Sequence, residues 1–490
     1  MHMRSALRAA LLAALLAVPA AQAAEKTGRG ENIKAVANIP YGSTSPGTDL
    51  EFHTYTIDGV TRTFSFAGTY AVGLQVIDVT DPEHAKKVAT WDCGVSQGDV
   101  QIFTRPDLGD RVFVAYTHDT GYTFVKSSQC ADDLADLGFS IGSGYGTYIA
   151  DITDPYHPTT VSFVPFAQGS HNATIHPSGK FIYNSNSDLI TSFQPAVEIA
   201  DITDLAHPKS VGEIALMTFP GLGTEAHDIG FRADGNRAYV AALSHGEILD
   251  TTDPAHPVSI GKVVDPAINV WHETENITIK DPILGTRDFM IAEDEVAGAT
   301  GTGQCPNGGV HVYDITGPLE QAPVKVGYWN IDDAGQTEDG IGTCTAHVFQ
   351  LHRAQQLMTI AYYNGGVRVV DLSGLVGAAL GKTGIGMKQL GWYRFKDSNT
   401  WAVKAPTVTR GGFYLYGNDH RRGFDVYRYA PSVSSNKVAP GTWLTPEQEL
   451  EAVRRARAVF GAPKLAAICL LSTEDRGALR LAAKRAGFRL

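Results

Sequence analysis

An alternating apolar strand followed by a polar turn recurs seven times along the chain. The best-preserved copies end in Asp-x-Thr-Asp-Pro, and the seven copies begin at Gly73, Gly146, Ala196, Gly246, Gly309, Gly366 and Gly423. Alternation of apolar and polar residues with a period of two predicts a β-strand, and neighbouring Asp, Thr and Pro residues are typical of a turn. The pattern therefore predicts one strand–turn unit that is repeated seven times.

Each repeat contains four predicted strands, A to D. In the third repeat, residues 172–175 and 181–183 form a hairpin before the phrase, and residues 211–215 form a strand after it. Four-stranded units with a period of roughly 50 residues are typical of propeller blades. We therefore predict an all-β, seven-bladed β-propeller over residues 33–431.

The seventh repeat lacks a strand D after Tyr429. The segment Ile33–Ile39 resembles the D strands and precedes the first strand A. Pairing of this N-terminal strand with the last blade would join the two chain ends and cover an exposed sheet edge. We therefore predict that this strand closes the propeller, the alternative being a loose N-terminal arm.

The segments on either side of the propeller have different compositions. Residues 1–23 are typical of a signal peptide, because Arg4 and Arg8 flank the start of a short apolar run and Ala21-Gln22-Ala23 fits a cleavage site. The apolar run is too short to span a bilayer, and no later segment reaches about 20 apolar residues. These features predict a periplasmic or secreted protein without a membrane span. Residues 439–490 are predicted to form a short helical appendage.

The net charge and the cysteines refine this picture. A formal net charge of −12 argues against binding to nucleic acid. Export implies an oxidising compartment in which disulfides persist. Four cysteines are predicted on one face of the propeller, as the neighbouring-blade pairs Cys93–Cys130 and Cys305–Cys344; spacing alone allows three pairings, and the choice among them rests on the geometry of the blades. Cys469 remains, and is predicted to be a small buried apolar residue.

The Gly-x-x-Val-x-Asp-Ile-Thr-Asp-Pro phrases resemble the repeats of the LVIVD family of exported bacterial β-propellers. The resemblance covers roughly residues 33–431. It implies the fold and the export of the protein. It implies no particular chemistry, because that family is defined by its scaffold repeats and function must be argued from a site.

Histidines are the strongest candidates for chemistry. Five of the 16 histidines are predicted at the start of strand A in five different blades, namely His53, His171, His227, His272 and His347. Blade two has Asp99 at this position, and blade seven breaks the pattern near Val403 and Lys404. Innermost strands line the channel, so these imidazoles are expected to converge on a transition metal ion such as Fe, Cu, Mn or Zn. The alternative is a polar hydrogen-bonded network that fills the channel.

Acidic residues accompany the histidines on the same predicted face. Asp99 and Glu273 are candidate catalytic groups, since a carboxylate near a metal-bound water can act as a general base, and Glu225 and Glu275 are further candidates for acid–base or supporting roles. The acids of the C–D turns are instead predicted to cap their turns, at Asp78, Asp151, Asp201, Asp250, Asp314 and Asp371. The residues that follow the B strands, among them Glu293 to Glu295, add further polar groups.

Two functions follow from these observations. The first is an exported metal-dependent enzyme, oxidative or hydrolytic, with a small-molecule or glycan ligand at the loop-rich face. The second is a non-catalytic LVIVD-type propeller that binds a protein or glycan at the cell surface or in the periplasm. The substrate, the identity of the metal and the oligomeric state have no signature in the sequence.

Overall fold

A computed structural model describes residues 28–42, 45–120, 124–186, 195–217, 225–281, 285–295, 307–331, 344–380 and 386–431. Within these ranges the chain forms seven antiparallel sheets, which are the blades of a β-propeller. No helix in this part of the chain is long and apolar enough to cross a bilayer. The predicted signal peptide, the C-terminal tail, Cys305 and Cys469 lie outside the described residues.

The first four blades have four strands each, and their strand order follows the chain. The described chain begins with β1 (Gly28–Glu31) and β2 (Ile33–Ile39). Blade one contains β3 (Gly47–Ile57), β4 (Val60–Thr69), β5 (Leu74–Asp78) and β6 (Lys86–Trp91), and blade two contains β7 (Gln97–Arg105), β8 (Arg111–His118), β9 (Gly146–Asp151) and β10 (Thr159–Pro165). Blade three contains β11 (Asn172–Ile175), β12 (Phe181–Ser185), β13 (Val197–Asp201) and β14 (Lys209–Ile214), and blade four contains β15 (Asp228–Phe231), β16 (Arg237–Ala241), β17 (Gly246–Asp250) and β18 (Val258–Val263).

The last three blades continue the same order. Their strands are β19 (Trp271–Asp281), β20 (Gly285–Asp294), β21 (Gly309–Asp314) and β22 (Val324–Trp329); β23 (His347–His352), β24 (Leu357–Ala361), β25 (Val367–Asp371) and β26 (Lys388–Phe395); β27 (Thr400–Lys404), β28 (Phe413–Asp419) and β29 (Gly423–Tyr429). Two short helices lie in the connections between strands B and C of blade two and strands C and D of blade six, namely α1 (Gln129–Asp136) and α2 (Leu375–Ala379).

The N-terminal strands complete the outer edges of two blades. Strand β2 pairs antiparallel with β29 and is the fourth strand of blade seven, with Ile33 opposite Tyr429 and Ile39 opposite Phe424. Strand β1 adds a fifth strand to blade six by pairing with β26. One short segment therefore covers the edges of two adjacent blades, which protects both from pairing with other chains.

Hydrophobic residues fill the space between each blade and the next. Seven buried clusters lie at the seven blade interfaces. The cluster between blades seven and one contains Leu50 and Ala67 from blade one with Tyr416 and Val426 from blade seven. The first strands of neighbouring blades also contact one another around the whole ring. Strand A is therefore the inner strand of every blade and lines a central channel.

The turns between strands C and D are capped as the sequence predicts. In all six, the Asp side chain accepts a hydrogen bond from the backbone N–H of the residue two positions later. This bond satisfies a backbone donor at the sharp end of the strand. The repeated acids at this face thus shape the scaffold.

A disulfide joins the first two blades on the opposite face. Cys93 and Cys130 are bonded, as predicted, and the bond ties α1 to the end of strand D in blade one. Cys344 is also disulfide-bonded, whereas the position of its predicted partner Cys305 is not described. A disulfide is consistent with an oxidising compartment.

Candidate metal centre

Four histidines from four consecutive blades meet at one end of the central channel. The ring centroids of His171 and His227 are 4.5 Å apart, those of His227 and His272 are 4.0 Å apart, and those of His272 and His347 are 4.4 Å apart. All four residues are buried. The propeller therefore brings together four of the five histidines that the sequence singled out.

The start of strand A positions each of these rings. His171 and His227 directly precede β11 and β15, whereas His272 and His347 are the second residue of β19 and the first residue of β23. The pairing register of the last two strands shifts at this point, between Trp271 and Glu273 and after His347. Such bulges re-aim side chains at the ends of strands, here at the end where the four rings meet.

A fixed partner holds the Nδ1 atom of every ring. The contacts are His171 Nδ1 to Asp119 Oδ2 at 2.8 Å, His227 Nδ1 to the carbonyl oxygen of His272 at 3.0 Å, His272 Nδ1 to Glu293 Oε2 at 2.7 Å, and His347 Nδ1 to the carbonyl oxygen of Trp401 at 2.6 Å. A partner at Nδ1 fixes the tautomer and the orientation of an imidazole and directs Nε2 toward a metal. The Nδ1 contacts of the four rings are of the kind that metal-ligating histidines make.

A carboxylate completes a tight group with two of the rings. Ligand atoms of His272, His347 and Glu295 all lie within 4.8 Å of one another. The Oε2 atom of Glu295 is 3.7 Å from His272 Nε2, and its Oε1 atom is 3.9 Å from His347 Nε2. Tyr363 donates a hydrogen bond of 2.9 Å to Glu295 Oε1 and so fixes the carboxylate.

Burial controls the protonation of these groups. It lowers the pKa of His227 and His272 well below the ordinary value, and the nearby imidazoles add to this effect. It also lowers the pKa of His347 to about 3. These rings are therefore neutral at pH 7, which is the form that binds a metal. Burial raises the pKa of Glu295 to about 8, so a nearby cation would be needed to keep this carboxylate ionised at neutral pH.

The residues present fit a transition metal ion. His347 Nε2 and Glu295 Oε2 are buried and have no hydrogen-bond partner among the described residues, and such unsatisfied groups are costly. The Nε2 atoms of His171 and His227 are 3.1 Å apart, close to the separation of about 3 Å for two nitrogens that each lie about 2 Å from one ion. Imidazole and carboxylate together suit Zn, Fe, Cu and Mn.

The fifth histidine lies elsewhere. Strand β3 begins at Gly47, so His53 is its seventh residue and pairs with Phe64. Its ring is partly exposed and packs against Tyr55 at 4.6 Å between centroids. The prediction that His53 begins strand A is wrong, because the strand starts six residues earlier than the apolar pattern indicated. Asp49 of blade one lines the channel instead.

The candidate acids line the channel next to the rings. Asp99 accepts a hydrogen bond from the backbone N–H of Ala173 at 3.0 Å, and Glu273 accepts one from that of Phe349 at 2.8 Å. Burial raises the pKa of both carboxyls well above the ordinary range. Glu275 pairs with Arg353, and Glu225 is buried two residues before His227. Catalytic roles for Asp99 and Glu273 remain predictions.

Several contributors were not recognised as such in the sequence. In the sequence, Glu293, Glu295 and Asp119 are distinguished only as polar residues that follow B strands. The carbonyl of Trp401 had no signal at all, because any residue offers a carbonyl. The signal that was available for the carboxylates is their position at the end of strand B, next to the start of strand A.

Three of the four rings are open to the channel. A cavity of about 280 Å³ lies in the channel, and His227, His272 and His347 form part of its wall. The remaining wall comes from the A strands of all seven blades, with Asp49, Gln101, Thr174 and Lys404 among the lining residues. A small molecule in this cavity would reach the rings directly.

Comparison with known proteins adds little to this geometry. No protein-family model matches the chain, so the resemblance to LVIVD repeats stays a prediction. No curated protein matches it either. Among solved structures, the chain is similar to hydrazine synthase of Kuenenia stuttgartiensis, with 11% sequence identity and a TM-score of 0.45, over 76% of this chain and 92% of that chain. A similarity at this level carries no inference about function.

Proposed function

We propose that this chain is an exported metalloprotein, and that it is a metal-dependent enzyme with oxidative or hydrolytic chemistry. The observation that carries the proposal is the set of four buried imidazoles, each in contact with a partner at Nδ1, whose Nε2 atoms lie near a neighbouring imidazole or near Glu295. Ordinary polar packing in a channel does not require four neighbouring rings that each have such a partner at Nδ1. A metal site does.

Each residue has a defined task in this proposal. His171, His227, His272 and His347 would hold the ion, and Glu295 would supply an oxygen ligand or orient a molecule beside it. When bound, such an ion supplies a Lewis acid or a redox centre. Tyr363 holds the carboxylate of Glu295 in place through its hydrogen bond.

The channel supplies the groups for proton transfer. Asp99 and Glu273 face the same cavity as the rings, and burial favours their protonated forms. In its protonated form each would donate a proton to a molecule in the cavity, and the same oxygen would then accept a proton in a later step. The main-chain donors of Ala173 and Phe349 orient the two carboxyls for this task.

Metal analysis tests the proposal. The full chain is purified from its native compartment and its metal content is measured by mass spectrometry, for the wild type and for the double variant H272A/H347A. We expect one transition metal ion per chain in the wild type and loss of that ion in the variant, because two ligands are removed. The matched control H84A/H157A removes two imidazoles from the exposed C–D turns.

Two results would overturn the proposal. One is wild-type protein that carries no transition metal and binds none on titration. The other is a double variant that keeps its metal as well as the control does. Either result would leave a non-catalytic propeller that binds a protein or glycan, which is the second function that the sequence allows.

A further inference from the structure

The wall of the cavity next to the four rings is rich in carboxyl groups. Its described residues include six carboxyl groups and two basic side chains, Lys404 and Arg353, the acids being Asp49, Glu51, Asp99, Asp228, Glu273 and Glu275. A cavity of about 280 Å³ holds roughly nine water molecules, at about 30 Å³ each, or a small organic molecule. A cation nearby favours the ionised form of a buried carboxyl group, so this lining bears on what the cavity binds.

The two basic side chains neutralise only half of the acids. Lys404 Nζ lies 2.8 Å from Asp49 Oδ1 and 2.7 Å from Glu51 Oε1. Arg353 pairs with Glu275 at 2.7 Å. These contacts show that the walls of this channel bind an ammonium and a guanidinium group by direct contact.

Three acids have no basic partner among the described residues. Asp99, Asp228 and Glu273, from blades two, four and five, each accept a backbone hydrogen bond, at 3.0, 2.6 and 2.8 Å. In the described part of the chain, their oxygens form no group compact enough to enclose a single metal ion, unlike His272, Glu295 and His347. The three carboxyl groups therefore suit a molecule that extends across the cavity better than a single metal ion that all three would coordinate.

An imidazole forms another part of the same wall. His347 lines the cavity and is buried, and its Nε2 atom has no hydrogen-bond partner among the described residues. A ligand that fills the cavity would thus meet both carboxyl groups and an imidazole group. These two kinds of group call for two different functional groups on one small molecule.

We propose that the channel binds a small aliphatic amine as the substrate class of this protein. Its ammonium group lies among Asp99, Asp228 and Glu273, and a second polar group reaches the rings at His272 and His347. The assignment of the amine as a substrate rests on the proposed metal function, whereas its binding to the cavity does not. The ammonium of Lys404 is the precedent within the same channel.

Calorimetry with a matched pair of probes tests this inference. The full chain, before and after treatment with a chelator, is titrated with 4-aminobutan-1-ol and with the neutral isostere butane-1,4-diol. We expect the amine to bind at least about 10-fold more tightly than the diol, because an ionised hydrogen-bonded contact is lost in the diol. The variant D99N should weaken amine binding about 10-fold. The control D234N, which removes an exposed acid from a hairpin of blade four, should leave it unchanged.

Several results would overturn the inference. One is equal binding of the amine and the diol. Another is unchanged amine binding in D99N and D228N, provided that thermal unfolding shows both variants to be folded. The third is displacement of the amine by an equal concentration of Mg²⁺. Metal content is measured on the same samples. Protein that binds the amine but carries no metal would refute the metalloenzyme proposal alone, and metal-containing protein that ignores the amine would refute this inference alone.

Discussion

Two sets of repeated residues occupy opposite faces of the propeller, and they have diverged to different degrees. The turn acids between strands C and D make one and the same contact six times, from an Asp oxygen to the N–H two residues later, at 2.7 to 3.0 Å. The four histidines at the starts of strand A share a position, but their Nδ1 atoms contact two different carboxylates and two different carbonyl groups.

The difference separates scaffold from candidate chemistry. A residue that repeats together with its local partner is explained by the turn that it caps. A residue that repeats while the group it contacts changes is explained by the direction in which its side chain points. The same kind of contact occurs on both faces. An Asp Oδ2 lies 2.8 Å from a His Nδ1 in the exposed pair Asp81–His84 and again in the pair Asp119–His171, whose imidazole is buried. Burial and the neighbouring rings distinguish these two pairs.

The largest expected effect uses this shared contact. We expect D119N to weaken metal binding about 10- to 100-fold, because the carboxylate beside a ligating imidazole orients the ring and raises its basicity. The variant D81N changes the same kind of contact on an exposed turn, where the side chain of His84 is 81% exposed, and should leave metal affinity unchanged. Competitive titration of the apoprotein with a chromophoric chelator gives both affinities.

Equal affinities of D119N and D81N for the metal would remove His171 from the ligand set. The centre would then consist of His227 together with the compact group of His272, His347 and Glu295. Restoration of tight binding by D119E, with D119N weak, would show that charge at this position matters and not only the hydrogen bond.

A second, smaller effect concerns the dependence of stability on pH. His420 is half-buried and packs against the ring of Trp401, at 4.7 Å between centroids, and burial lowers its pKa from 6.5 to about 3. The unfolded chain takes up a proton near pH 6.5 and the folded chain does not, so acidification favours unfolding. Between pH 6.5 and 5 this one group should cost on the order of 1 to 2 kcal/mol of stability.

The variant H420Q should remove that part of the pH dependence. Urea unfolding of chelator-treated protein at several pH values gives the free energy of unfolding for the wild type, H420Q and the exposed control H84Q. A curve for H420Q that falls as steeply as the wild-type curve between pH 6.5 and 5 would show that His420 is protonated in the folded protein. The overall stability of the variant does not enter this comparison, because only the slope is used.

Much of the fold could be predicted because the repeat displays it seven times. Strand alternation and the capped turn are local signals, and each copy supports the others, so the number of blades is predicted correctly. The pairing of the N-terminal strand with blade seven and the Cys93–Cys130 bond also agree with the structure. The first strand of blade one was the exception. The apolar pattern after His53 predicts that strand A of blade one begins at His53. The strand begins six residues earlier, at Gly47, so His53 lies in the middle of the strand and not at its start.

The site could be predicted only in part, for a physical reason. Four histidines carry a signal because they repeat at one position on strand A. Glu295 and Asp119 occur once each, at the ends of B strands, and only the closure of the ring brings them to the imidazoles. The main-chain carbonyl groups that hold His227 and His347 depend on a backbone position that no residue type encodes.

The smallest expected effect lies on the scaffold face. Asp201 caps its turn through one hydrogen bond of 2.7 Å to the N–H of Thr203, so D201A should lower the free energy of unfolding by about 1 kcal/mol. D201N keeps an acceptor at the same position and should recover most of this loss, and neither variant should alter metal affinity. Urea unfolding and the chelator titration report the two properties separately. A change of metal affinity in D201A would show that the turns between strands C and D are coupled to the ring of histidines, and the division of the propeller into a scaffold face and a chemical face would then be wrong.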